Sequence, residues 1–278
     1  VDPGHGGDDD GTKRKWQGRT WYEKQFTLGL AVELITQIQE KGGTVVSTVI
    51  IPKDPPYTWF GANRIPEHGA EHFNLKGSPP IEGGIPGLSR RLEIGRNVLN
   101  RFPDAEVQWI SVHFDFVRVG KGKEPISGTR IIYSADGQET TYVRVPRIRR
   151  QRRAMVDSIV AIEPPAFARD LAHAFTDAGW LRDWANRPVV ASGKRGLKKL
   201  FVLRGENDPK IVGRRKSRTR YYNRVIDRVL IEYANFKSDE DWERLQQSEG
   251  SLRRLAAITV HGLVLHAGRD SILHTRGP

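Results

Sequence analysis

VQWISVHFD, residues 107–115, is an apolar and β-branched run closed by a histidine and an aspartate. It reads as a buried strand with His113 at its carboxyl end. RVLIEY at 228–233 reads the same way and carries Glu232 close to its end. GTVVSTVI (43–50), GTRIIY (128–133) and KLFVLR (199–204) are further strands by composition. VDPGHGG at 1–7 reads as the end of a strand entering a glycine-rich turn. Only Val1 of that strand is in the sequence, so the first strand is expected to be truncated and the natural polypeptide to begin further upstream.

Between these strands lie segments with helical periodicity. From Glu23 to Lys41 the apolar positions Phe26, Leu28, Ala31, Leu34, Ile35 and Ile38 share a face, and Gly42-Gly43 ends the run. Ser89 to Asn100, Phe167 to Trp184 and Ser251 to His266 read as three more helices. The alternation predicts an α/β fold in one domain over 1–278. Its central sheet is mostly parallel or mixed, with helices covering both faces. Three polar inserts interrupt it, at about 52–87, 134–163 and 205–224. The stretch from DDDG through KRK reads as a polar loop.

The 278 residues include no cysteine, which excludes a disulfide framework, a thiolate metal site and a cysteine nucleophile. Net charge is +12. That balance favours anionic partners such as nucleic acid, wall polymer or membrane headgroups, and a solvated basic surface fits it equally. RVPRIRRQRR (144–153) and KIVGRRKSRTR (210–220) carry no recognised nucleic-acid motif, so no specific nucleic acid is expected. No run is long and apolar enough for a transmembrane segment. No targeting segment is visible.

Functional residues in open α/β sheets collect at the carboxyl ends of strands. Catalytic zinc commonly takes three ligands from His, Glu or Asp and keeps a fourth position for water. His5 fits a ligand role and a turn-capping role. Asp2 fits a hydrogen bond to the far nitrogen of His5, or simply the fixing of the turn. Glu23 fits a ligand, and equally an acid favoured at a helix start. His113 fits a ligand with Asp115 on its side of the strand, and equally a satisfied core histidine. Glu232, in an apolar strand, fits a proton-transfer group or the partner of one of the many arginines. His68 and His72 read as loop residues without a metalloprotease arrangement. His261 and His266 read as helix surface or packing.

Taken in order, DPGHGG (2–7), EKQFTLGLA (23–31), SVHFD (111–115) and VLIEYAN (229–235) resemble the zinc N-acetylmuramoyl-L-alanine amidases of bacteria and phages, the amidase-3 type. The resemblance implies one Zn²⁺ per chain, held by His5, Glu23 and His113, with Glu232 as the catalytic acid/base. Asn235 agrees with a family continuation, and Arg204 matches an arginine frequent near the pocket. Two positions depart from the pattern. Phe114-Asp115 replaces a small residue and Asn, and Thr48 is followed by Val49 where arginine is usual.

The implied reaction is hydrolysis of the amide between the lactyl group of N-acetylmuramic acid and L-alanine. The implied partner is peptidoglycan, and the implied location the cell envelope, periplasmic or extracellular. In some periplasmic relatives an inserted helix blocks the zinc until an activator protein removes it. The insert at 134–163 fits that device, an ordinary elaboration, or a basic face for wall polymer. A zinc carboxypeptidase or other wall peptidase is the rival enzyme. A non-enzymatic cell-wall or nucleic-acid binding protein is the rival outside enzymes.

Overall fold

The computed structural model describes residues 1–102, 105, 107–115, 125–133, 165–182, 189–191, 227–247 and 249–275. The central sheet has the strand order β1 (Asp2–Pro3), β6 (Gln108–Asp115), β9 (Asp227–Asn235), β7 (Arg130–Tyr133), β8 (Val189–Ala191). β1, β6 and β9 run parallel, β7 runs antiparallel to β9, and β8 runs parallel to β7. The sheet is therefore mixed. The strand predicted at 199–204 lies outside the described residues, as do the inserts at 134–163 and 205–224.

Alternation along the strands sorts side chains onto two faces. Ile110, Val112 and Phe114 join Val229, Ile231, Tyr233, Ile131 and Tyr133 in the main core. That face is covered by α1 (Glu23–Glu40), α3 (Ala166–Asp177) and α5 (Ser251–Thr275), through Phe26, Leu30, Phe167, Leu171, Phe175 and Leu255. On the other face Trp109, Leu230 and Ile132 meet Leu88 and Leu99 of α2 (Gly84–Arg101). α4 (Asp239–Gln247) contributes Trp242 and Leu245 to the main core.

Helix ends follow local chemistry. The Gln25 side chain accepts from the Tyr22 N–H at 2.9 Å, closing the start of α1. Beyond Lys41, Gly42 takes φ 81°, and Gly43 N–H returns to the Ile38 carbonyl at 2.9 Å. α3 ends at Asp177, short of the expected Trp184, because Gly179 takes φ 67° and turns the chain. α5 runs on to Thr275, past the expected His266.

The run 43–50 is not a strand. Val1 N donates to the Val46 carbonyl at 2.9 Å and Thr48 N donates to the Val1 carbonyl at 3.0 Å, which is one parallel ladder step beside β1. The next step would need an N–H from Pro3, which has none. Two hairpins also replace expected irregular chain. β2 (Lys13–Trp16) pairs β3 (Arg19–Tyr22) across Gln17-Gly18, at φ 46° and φ 76°, as a type I′ turn requires. β4 (Tyr57–Phe60) pairs β5 (Asn63–Pro66) across Gly61-Ala62, inside the first insert. That insert is anchored by a second core in which Phe73, Ala70 and Ile81 pack on Leu28 and Ile94.

Candidate metal centre

The turn after β1 brings His5 to the carboxyl end of the sheet. Gly4 N donates to the Val112 carbonyl at 2.8 Å, carrying the β1–β6 alignment one residue further. His5 then takes φ 63°, a left-handed conformation. For a residue with a Cβ this costs on the order of 1–3 kcal/mol and persists only where the surroundings hold it. Gly6 and Asp9 exchange two backbone hydrogen bonds of 2.9 Å, and Gly7 N donates to the Ala70 carbonyl at 2.8 Å. The ring is thereby set with Nδ1 3.0 Å from Asp9 Oδ1 and Nε2 3.1 Å from Glu23 Oε1.

Glu23 is the first residue of α1 and is 2 % exposed. The β2–β3 hairpin places it. Glu23 N donates to the Thr12 carbonyl at 2.8 Å, and Thr12 N donates to Glu23 Oε2 at 2.8 Å. The other oxygen, Oε1, accepts from Phe114 N at 3.0 Å and lies 3.1 Å from His113 Nδ1. His113 meets His5 edge to face, with ring centroids 4.9 Å apart.

Glycines make room for this approach. A Cβ on Gly4 would stand 2.3 Å from Cε1 of His113, and one on Gly11 would stand 2.6 Å from Cδ2 of His5 and 2.7 Å from Glu23 Oε2. Gly4 thus abuts His113, and Gly11 abuts His5 and Glu23.

The cluster fits a zinc ion. One ligand atom from each of His5, Glu23 and His113 lies within 4.8 Å of the others, and no other such trio occurs among the described residues. Ligands about 2.0–2.2 Å from a tetrahedral zinc stand roughly 3.3 Å apart, and the Glu23 oxygen stands 3.1 Å from a nitrogen of each histidine. Two neutral imidazoles with one carboxylate are the donor set of an open catalytic site rather than a closed structural one. Burial works against protonation of His5, yet Asp9 and Glu23 outweigh it and push its pKa up to about 10. Burial likewise works against the Glu23 carboxylate, while His113 and His5 hold it far below the usual carboxylate range. Proton and metal therefore compete for His5, and metal binding releases protons.

Glu232 lies beside this trio. In the ladder of β6 and β9 it is the register partner of His113, and on its other side it pairs with Arg130 of β7. Register partners point to the same sheet face, so His113, Glu232 and Arg130 form a row across the carboxyl end of the parallel strands. Glu232 is half-buried.

Asp2 is elsewhere engaged. Its carboxylate receives Thr48 Oγ1 at 2.6 Å, Ser111 Oγ at 2.8 Å and the Arg91 guanidinium. It ties β1 to Thr48, Ser111 and Arg91, and the carboxylates at the His5 ring are Asp9 and Glu23. Asn235 serves the chain around it: its side-chain oxygen accepts from Lys237 N at 2.9 Å and its amide donates to the Ile126 carbonyl at 3.0 Å. Asp115 closes β6 in register with Asn235. Arg204 lies outside the described residues. His68, His72 and His261 are exposed, and His266 is buried against Asp170 at 3.2 Å.

Three contributors escaped the sequence reading: Asp9, Arg91 and the hairpin carrying Thr12. The hairpin had a signal, since Gln17-Gly18 separates two short alternating runs. Asp9 sits among three consecutive aspartates, and sequence does not say which one turns inward. Arg91 had no local signal, because its partners are distant in the chain.

The N-acetylmuramoyl-L-alanine amidase family, Amidase_3, matches residues 1–261. No curated protein matches the chain. Among solved structures the fold is similar to the CwlV amidase catalytic domain of Bacillus (Paenibacillus) polymyxa var. colistinus, at TM-score 0.53 and 17% identity over 96% of each chain. It is similar to the CwlD amidase of Clostridioides difficile, solved in complex with the GerS lipoprotein, at TM-score 0.52 and 16% identity over 97% of each chain. The apo form of Ami1 from Mycobacterium abscessus aligns at TM-score 0.51 and 15% identity over 96% of each chain.

Proposed function

The chain belongs to the N-acetylmuramoyl-L-alanine amidase family, and from that premise we propose that Glu232 performs the proton transfers of its reaction. The reaction is zinc-dependent hydrolysis of the amide joining the lactyl group of N-acetylmuramic acid to L-alanine, and the substrate is peptidoglycan. Family membership decides for this bond over that of a zinc carboxypeptidase, and for an enzyme over a binding protein.

His5, Glu23 and His113 hold the metal in this reading. Zinc, when bound, supplies carbonyl polarisation and a lowered pKa for water. Glu232 takes the proton of the attacking water as the new C–O bond forms at the lactyl carbonyl. It then delivers that proton to the L-alanine nitrogen as the C–N bond breaks, which leaves a lactyl carboxylate and a free amine. Asp9 orients the His5 ring, and Thr12 and Phe114 orient the Glu23 carboxylate. The observation that carries the reading is the register of Glu232 against His113 across adjacent parallel strands.

The activity belongs in the cell envelope, periplasmic or extracellular, because the polymer it cleaves is there. Among the described residues no helix is long and apolar enough to cross a membrane. An activator protein enters this reading only through the insert at 134–163, and nucleic acid has no part in it.

Zinc content and muropeptide hydrolysis of the native chain and of Glu232→Gln test the assignment. Both chains are expected to carry one zinc, with turnover in the native chain alone. Undiminished turnover by Glu232→Gln would overturn the role given to Glu232.

A further inference from the structure

We propose that Arg91 is a positioning residue for the metal centre, acting through the backbone of His5. The inference rests on the reading of His5 as a zinc ligand. Arg91 lies on α2, far from the ligands in sequence, and is 6 % exposed. Its Nη1 donates to the Asp2 carboxylate, to the Pro3 carbonyl at 2.6 Å and to Thr48 Oγ1 at 3.4 Å. Its Nη2 donates to the His5 carbonyl at 3.2 Å. The guanidinium carbon lies 5.5 Å from the centre of the Phe73 ring.

The guanidinium does two things. One nitrogen neutralises the buried Asp2. The same nitrogen holds the Pro3 carbonyl and the second holds the His5 carbonyl, so the fork spans the two carbonyls that flank Gly4. A guanidinium is planar and its nitrogens are fixed relative to one another, so the two carbonyls are held at a set separation. Gly4 is the residue against which the His113 ring lies, and His5 is the residue in the left-handed conformation. Arg91 thus sets the direction from which the His5 ring enters the site and the surface on which His113 rests. A lysine retains the charge facing Asp2 but lacks the fork.

The test compares native chain, Arg91→Lys, Ser111→Ala and the charge-free pair Asp2→Asn/Arg91→Leu. Three quantities are measured: zinc affinity by chelator competition, the visible spectrum of the Co²⁺-substituted protein, and Tm of the metal-free protein. Arg91→Lys and the double variant are expected to bind zinc about 10–100-fold more weakly, the range for lost outer-shell partners, with an altered Co²⁺ spectrum. Ser111→Ala loosens Asp2 without touching Arg91 or His5, so it lowers Tm and keeps native affinity and spectrum. If Arg91→Lys fails to fold, the double variant decides. Native zinc affinity and Co²⁺ spectrum in the Arg91 variants would make Arg91 purely structural and overturn the inference alone. A native chain that takes up no zinc would overturn the zinc reading and the inference together.

Discussion

His113 and Glu232 stand in register on adjacent parallel strands, one a member of the metal cluster and the other beside it. In the proposed mechanism the Glu232 carboxylate reaches the reaction from a rigid strand, so its distance depends on side-chain length. Glu232→Asp withdraws it by one methylene. Retained zinc is expected, with turnover on muropeptides reduced by about 100-fold, the scale of a 1 Å misplacement. Kinetics on a purified muropeptide, with metal analysis of the same sample, checks this.

The ligand set predicts which histidines matter for metal. His5→Ala and His113→Ala are expected to lose stoichiometric zinc, whereas His68→Ala and His72→Ala keep it. Asp9→Ala leaves the ligands in place but frees the His5 ring, and is expected to weaken zinc by about 10–100-fold. Metal content after dialysis against a weak chelator orders the five variants.

Gly4→Ala tests the fit of the two histidine rings. Its Cβ would stand 2.3 Å from Cε1 and 2.5 Å from Nε2 of His113, so the ring must leave its place. The expected outcome is a folded protein with about 100-fold or greater loss of turnover. Circular dichroism with an activity assay separates that outcome from unfolding.

Stability against pH isolates Asp2. Burial opposes its charge, but Arg91, Thr48 and Ser111 outweigh burial and hold its pKa below the usual carboxylate value. A carboxyl with a depressed folded pKa contributes stability above its unfolded value, about 3.9. That contribution is lost as pH falls through the folded value. Asp2→Asn is therefore expected to cost about 3–5 kcal/mol near neutral pH, since Arg91 is left buried without its counter-charge. The Tm difference from the native chain should shrink below about pH 4. Thermal unfolding of both proteins from pH 3 to 7 measures it.

The α/β class, β6 and β9 and the four main helices were legible because their periodicities are local and their apolar faces long. Order of motifs alone also brought His5, Glu23, His113 and Glu232 forward, through their resemblance to a family. Local pattern misread 43–50 as a strand, since β-branched composition does not reveal that the neighbouring strand ends on a proline. It missed the 13–22 hairpin, where short alternation was masked by charge.

Sequence by itself therefore determined the fold class and the three residues of the metal cluster, because residue type, spacing and order are properties of the chain. Tertiary structure decided how those residues are held. Glu23, although it opens α1 as an acid at a helix start, is also a buried bridge between two histidines, because a hairpin and the end of β6 turn N–H donors towards it. Asp9 rather than Asp2 serves His5, because Asp2 is enclosed by Arg91, Thr48 and Ser111. These partners lie up to 109 residues apart in the chain. Their hydrogen bonds exist only once the sheet has aligned the strand ends, so no local pattern encodes them.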